Sequence, residues 1–307
     1  MSIGRSLILK TAAFPPVQSM VRRSFLFRPV VHRFIAGDGL EEALGHSEDL
    51  ARRGLCASMD NLGENVASLD EAVRAKGVYI EMLDRIAQSE FRDKINISIK
   101  LTQCGLDLGD DLGEKHFRDV LAAAQRTGNT VTVDMEGSDY TERTIAMMER
   151  VFPDYPNTGT VLQSYLFRSL DDTRRLIRLG CTIRVVKGAY LEPASIAYPS
   201  KADVDTNYLA MAELLLREGK DPAIATHDER LIKAVKDFVA REGIGKDRFE
   251  FQMLYGIRRD LQEKLHQEGY RVRVYVPYGE SWYPYFTRRL AERPANALFI
   301  LKSLFRG

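Results

Sequence analysis

Residues 95–135 read INISIKLTQCGLDLGDDLGEKHFRDVLAAAQRTGNTVTVDM. The stretch opens on a short β-branched run, Ile95–Leu101, and closes on another, Thr130–Met135. Between them Glu114–Arg126 is charged and amphipathic, as a surface helix is. A strand, a helix and a second strand imply parallel pairing through a helical crossover.

The same unit recurs on both sides. Gly54–Met59 precedes it, and Thr160–Ser164, Cys181–Lys187, Ala223–His227, Arg248–Met253 and Arg271–Val276 follow. Helical stretches lie between these runs at Leu69–Ala87, Ser169–Leu179, Asn207–Glu218, Glu229–Arg241 and Arg258–Glu268. Eight strand–helix units in about 250 residues predict an α/β fold, a (β/α)8 TIM-like barrel. A doubly wound sheet is the competitor, but its GxGxxG phosphate turn occurs nowhere in the chain.

The 307 residues carry 44 Lys+Arg against 43 Asp+Glu, a net charge of +1. Near-neutrality argues against a nucleic-acid partner, whose binding rests on neutralising phosphates. No apolar run reaches the roughly 18 residues of a membrane span. Cys56, Cys104 and Cys181 lack zinc-type spacing and predict reduced thiols in a cytoplasmic setting.

The N-terminus reads differently. Up to Gly37 it has no acidic residue, but it has Arg5, Lys10, Arg22, Arg23, Arg28 and Arg33, interleaved with apolar residues such as Phe25, Phe27, Val31 and Phe34. This predicts a helical arm over residues 1–45, with the barrel over 46–307. A basic, amphipathic arm is also a candidate peripheral contact with anionic lipid on the inner face of the cell membrane.

A barrel places its functional residues at the C-terminal ends of the strands. At or just past those ends stand Asp60, Lys100, Asp134, Gln163, Lys187, His227, Gln252 and Tyr275. Polar groups ending apolar strands are costly unless paired or in use. After the eighth strand, Ser281 is a plausible N-cap and Pro284 is tolerated in a first turn. Tyr285, Arg288, Arg289 and Glu292 then share one helical face. Arg293-Pro294 should end this helix, with another over Ala295–Phe305. Two adjacent arginines make a planar fork that suits a carboxylate. Tyr275 and Tyr285 offer walls for a small apolar ring. The competing reading is an exposed Arg288–Glu292 charge network.

No nucleophile elbow and no HExxH motif is present. A bound organic cofactor is then a reasonable carrier of the chemistry. Arg184 and Lys187 with Gly188-Ala189 permit a flat ring beside a positive charge. A cofactor-free barrel acting on a small acid and a protein that only binds an amino acid both stay open on these residues.

The motifs together resemble the proline dehydrogenase family, specifically its short monofunctional bacterial members. The matching stretches are Ser98–Gln103, Val133–Glu136, Val161–Leu166, Ile183–Tyr190, Ala225–Asp228, Phe249–Gln252, Tyr275–Gly279 and Tyr285–Asn296, in order. One position departs: where longer members read Gln-x-Leu-His-Gly, this chain reads Gln252-Met-Leu-Tyr-Gly256.

The resemblance implies a distorted barrel holding FAD non-covalently and oxidising L-proline to Δ1-pyrroline-5-carboxylate, the first step of proline catabolism. It implies electron transfer to a membrane quinone and a separate pyrroline-5-carboxylate dehydrogenase downstream. By the same resemblance, Arg288 and Arg289 are similar to the carboxylate clamp, aided by Lys100. Tyr275, Tyr285 and Leu254 resemble walls around the ring. Glu292 resembles the residue that orients the arginines, Asp134 the organiser of the polar floor, and Glu64 the gate that pairs with Arg288. Arg184 resembles the residue beside flavin N5. Gln163, Lys187, Gly188, Ala189, Tyr190, Thr226, His227 and Gln252 resemble FAD contacts.

Overall fold

The computed structural model describes residues 31–292, with side chains through Arg289. The expected arm up to residue 30 and the helix expected over Ala295–Phe305 lie outside the described residues. Eight strands alternate with helices: β1 (Cys56–Asn61), β2 (Ile95–Ile99), β3 (Val131–Val133), β4 (Thr158–Gln163), β5 (Thr182–Val186), β6 (Ala223–Ala225), β7 (Glu250–Leu254) and β8 (Arg271–Tyr278). Helix α1 (Leu40–Arg52) precedes them. Between strands come α2 (Leu69–Ala87), α3 (Asp110–Thr127), α4 (Ser138–Val151), α5 (Ser169–Leu179), α6 (Lys201–Glu218), α7 (Glu229–Glu242) and α8 (Arg259–Gln267), and α9 (Trp282–Glu292) follows β8. Every pairing is parallel, and β8 closes on β1 with Ala57 opposite Val274.

All eight expected strands are present, with no end shifted by more than two residues. Helix α4 is an addition. Its core-facing turns carry Thr141 and Thr144 among Ile145, Met148 and Val151, so polar residues interrupt its apolar stripe.

Alternation along the strands separates two environments. Ile97, Ile99, Val131, Val133, Ile183, Val185, Ile224, Phe251, Val272 and Val274 point outward. They form one buried core with Tyr79, Met82, Leu83, Phe117, Leu121, Ile145 and Phe238 of the helices. Most inward positions are polar: Ser58 and Asp60, Asn96, Ser98 and Lys100, Thr132, Thr182 and Arg184, Glu250 and Gln252, Arg273 and Tyr275. Barrel interiors are usually filled by branched aliphatic side chains. Here the apolar ring between sheet and helices holds the barrel, and the interior is left for charge.

Two helices exchange their expected places. Helix α1 packs against β1 and β8, the part of the wall that a helix following β8 would cover. Helix α9 instead packs Tyr285 and Phe286 with Val31, Phe34, Ile35 and Leu62, and Tyr275 and Ile257 lie against the same cluster. Leu62, Ile257 and Tyr275 belong to the C-terminal mouth, so α9 sits over it. Gly256 makes the approach of the chain before α1 possible. A Cβ on Gly256, whose φ is +72°, would stand 1.6 Å from the Arg33 carbonyl oxygen.

At the opposite end, the half-buried Arg273 guanidinium donates to Glu250 at 2.8 Å and to the Ala57 carbonyl at 2.9 Å. Arg273 and Glu250 line a cavity of about 220 Å³ that reaches Arg184 and Gln252 from below. Replacing Arg273 by Leu leaves the Glu250 carboxylate with the Gln252 amide and with Arg271 at 4.0 Å, and should cost about 1.5–3 kcal/mol in urea unfolding, the loss of a charge-assisted hydrogen bond. Adding Glu250→Leu should restore part of that loss. A single variant as stable as the parent would show that the pair is not what supports this end of the barrel.

Candidate active site

The floor of the mouth is built from residues at strand ends. Lys100, the first residue past β2, donates to both Asp60 carboxylate oxygens at 2.9 and 3.0 Å. Its ammonium also lies 3.9 Å from Asp134. Asp134, the first residue past β3, accepts from Arg184 at 2.7 Å on one oxygen and from the Tyr275 hydroxyl at 2.6 Å on the other. Arg184 reaches on to Ser98 Oγ at 3.1 Å, and its guanidinium stands 5.5 Å from the Tyr275 ring centroid. Burial alone would push the Lys100 ammonium down, but Asp60 and Asp134 outweigh it and hold the group charged. Burial and then the Asp134 charge push the Tyr275 hydroxyl well up, so it stays protonated and donates.

Helix α9 supplies the roof. Arg288 donates to Glu64 at 3.0 Å, across 224 positions of chain, and its guanidinium lies 5.7 Å from the Tyr190 ring centroid. Burial alone would lower the Arg288 pKa, yet the Glu64 carboxylate beside it raises it further. Arg289 stands 5.2 Å over the Tyr285 ring. The side chain of Glu292 lies outside the described residues, so the competing Arg288–Glu292 pairing does too. Leu254 ends β7, where its N–H donates to His227 Nε2 at 2.9 Å. That bond makes Nε2 the unprotonated nitrogen of a neutral ring.

The remaining candidates occupy neighbouring strand ends. Gln163 ends β4 and donates to the Glu136 carbonyl at 2.8 Å. Lys187, just past β5, is paired with Asp205 at 2.6 Å and Asp228 at 3.2 Å. Gly188 follows at φ +110°, where a Cβ would overlap the Tyr165 ring at 2.1 Å, and Ala189 and Tyr190 continue the loop. Thr226, just past β6, accepts from the Asp228 N–H at 3.1 Å, and its own N–H meets the Gln252 carbonyl at 3.2 Å.

Barrel order sorts the candidates into two arcs. Gln163, Arg184, Lys187, Gly188, Ala189, Tyr190, Thr226, His227 and Gln252 come from β4 to β7 and their loops. Glu64, Lys100, Asp134 and Tyr275 come from β8, β1, β2 and β3, which are also contiguous, with α9 above them. The Arg184–Asp134 bond joins the arcs on one side, and Leu254 stands at the β7–β8 border on the other. Tyr255 belongs to neither. It faces the helix layer, 5.7 Å from the His46 ring and under Arg259.

Two groups went unassigned in the sequence. Asp60 was noted only as a strand-end polar residue, yet it is the completely buried partner of Lys100. Glu136 accepts from the Thr102 hydroxyl at 2.6 Å and the Thr102 N–H at 3.3 Å. Its signal was the two-residue step from Asp134, which gives strand neighbours the same side.

A family model described as proline dehydrogenase matches residues 43–302. The chain is 42% identical over 306 residues to the proline dehydrogenase of Deinococcus radiodurans, covering 99% of this chain and 98% of that protein. To proline dehydrogenase 1 of Bacillus subtilis strain 168 it is 42% identical over 274 residues, 89% of this chain and 90% of that one. The backbone matches the crystal structure of proline utilization A (PutA) from Bdellovibrio bacteriovorus inactivated by N-propargylglycine with a TM-score of 0.81 at 25% identity. That match covers 94% of this chain and 36% of the longer one.

Burial pushes the Glu136 carboxyl up from 4.5 to about 7, partly opposed by the Thr102 hydroxyl and then Lys100. The unfolded chain therefore loses this proton first as pH rises. The contribution of Glu136 to stability is whole below pH 4.5 and falls, by roughly 3 kcal/mol, as pH climbs to 7. Glu136→Gln should remove that slope. The check is urea unfolding of both proteins at pH 5 and pH 8, and equal slopes would refute the shift.

Proposed function

The chain belongs to the proline dehydrogenase family, and from that premise we propose that it oxidises L-proline to Δ1-pyrroline-5-carboxylate with non-covalently held FAD. The observation that carries this reading is the division of the mouth into two contiguous arcs. Substrate and cofactor must lie side by side, and each candidate set occupies its own run of adjacent strands. The donor set of the β4–β7 arc fits such a cofactor. It combines the cations Arg184 and Lys187 with the amides of Gln163 and Gln252, the Thr226 hydroxyl and a neutral His227.

In the other arc, Arg288 and Arg289 anchor the proline carboxylate through the planar donors that suit it, with the Lys100 ammonium beside them. Tyr275, Tyr285 and Leu254 flank the pyrrolidine ring. Anchoring one end of a small rigid substrate fixes its reacting carbon, and such positioning is worth roughly 7–11 kcal/mol of barrier. Closure of Glu64 on Arg288 excludes water. In a dry pocket the charged amine is disfavoured, so the neutral form needed for oxidation is reached without a dedicated base. Arg184, held by Asp134, presents positive charge where negative charge develops. FAD, when bound, supplies the hydride acceptor for proline C5 and a two-electron store for delivery to a membrane quinone. The product then serves a separate pyrroline-5-carboxylate dehydrogenase. No helix among the described residues is long and apolar enough to cross a membrane, so a membrane quinone would be met by peripheral contact, for which the basic arm is the candidate.

The test is the visible spectrum of the purified protein. Flavin absorbance should bleach when L-proline is added without air and recover on adding quinone. Arg288→Lys or Arg289→Lys should raise the proline KM at least about tenfold, the loss of one charge-assisted hydrogen bond, with flavin still bound. Flavin that ignores proline would remove the substrate assignment. An unchanged KM in both variants would remove the clamp.

A further inference from the structure

We propose that Asn65 is the positioning residue of the gate: it locks the loop after β1 in the backbone conformation that carries Glu64 to Arg288. This rests on reading Glu64 and Arg288 as gate and clamp.

Residues 62–68 join β1 to α2 without regular structure. The two ends of this loop are fixed independently of Glu64. Upstream, the Leu62 N–H donates to the Tyr278 carbonyl at 2.8 Å. Downstream, Ser68 caps α2 by accepting from the Glu71 N–H at 3.3 Å, while the Glu71 carboxylate accepts from the Ala67 N–H at 2.7 Å. This is close to the reciprocal arrangement of a capping box. Between these ends the chain has Asn65 in the left-handed region at φ 56°. Asparagine adopts that region more readily than most residues with a side chain, but needs support to stay there.

Three hydrogen bonds provide that support, and none comes from the loop itself. The Asn65 N–H donates to Thr102 Oγ1 at 3.0 Å. Its side-chain amide donates to Asp107 at 3.0 Å and to the Tyr140 hydroxyl at 3.0 Å. Tyr140 donates in turn to Asp107 at 3.2 Å, so both amide hydrogens have fixed acceptors. Thr102 gives its own hydroxyl proton to Glu136 and is left to accept from Asn65. The residue next to the gate is thereby tied to the β2–α3 connection and to α4. Glu64 then meets Arg288 without the loop having to search. A loop freed from these anchors would populate the closed arrangement only part of the time, and ligand would leave faster in proportion.

The experiment uses the FAD-loaded protein and tetrahydrofuran-2-carboxylate, which has proline's ring and carboxylate with oxygen in place of the amine. Stopped-flow displacement reads its dissociation rate, and steady-state assays read KM and kcat for proline. Asn65→Gly keeps the backbone freedom and loses the amide bonds. It should speed dissociation about tenfold and raise KM without lowering kcat. Asn65→Ala should do at least as much. Tyr140→Phe, which removes one of the two amide acceptors, should give roughly threefold and serves if an Asn65 variant fails to fold. In a Glu64→Ala background, Asn65→Gly should add nothing further, because its effect passes through Glu64. Unchanged dissociation in Asn65→Gly, or a full additive effect on top of Glu64→Ala, would overturn the proposal. Glu64→Ala that by itself leaves dissociation unchanged would instead overturn the gate reading, and the positioning role with it.

Discussion

Two cations and two carboxylates, Lys100 and Arg184 with Asp60 and the half-buried Asp134, sit together inside the barrel, and the rest of the site is arranged around keeping them paired. Each ion taken from water costs several kcal/mol, recovered only where partners and hydrogen bonds are well placed. That demand accounts for the hydroxyls around the group. Ser58 and Ser98 share a hydrogen bond at 3.0 Å beneath Arg184, and Tyr275 completes Asp134 from β8. It also accounts for the polar character of the inward positions. A barrel filled with Val and Leu could not hold this cluster, so cohesion comes instead from the apolar layer between strands and helices.

The charge cluster and the roof do different work. The floor is made of strand ends, whose positions are set by the sheet register, and it needs no movement to be complete. The roof is a helix over the mouth, joined to the floor's side of the molecule by the Glu64–Arg288 bridge and by the packing of Tyr285 and Phe286 with Leu62 and Tyr275.

How much of this could be read from the sequence depends on the range of the contacts involved. Strand order and the residues at the strand ends were legible, because alternation and the strand–helix repeat are local signals. The helical face bearing Tyr285, Arg288 and Arg289 was legible for the same reason. Helix α4 was not, since Thr141 and Thr144 occupy its buried face and blur the apolar period. The exchange of places between α1 and α9 was not either. Nothing local distinguishes a helix that covers the wall from one that covers the mouth, and only the joint packing of Phe34, Leu62 and Phe286 decides it. Asn65 was not legible because its partners, Thr102 and Tyr140, are distant in sequence, whereas Glu136 was within reach through its two-residue step from Asp134, which puts the two carboxylates on one side and not on opposite faces.

Helix α9 also brings the roof of the mouth from the end of the described chain, after the last strand. The buried charges and the strand ends of the β4–β7 arc all precede residue 255, and β8 closes the sheet by residue 278. The two arginines come only at 288 and 289, after the barrel has its last strand. In chain order the sheet and its interior ion pairs are thus specified ahead of the two arginines. If these arginines are the clamp proposed above, a chain cut after residue 278 keeps every strand of the barrel and loses the clamp.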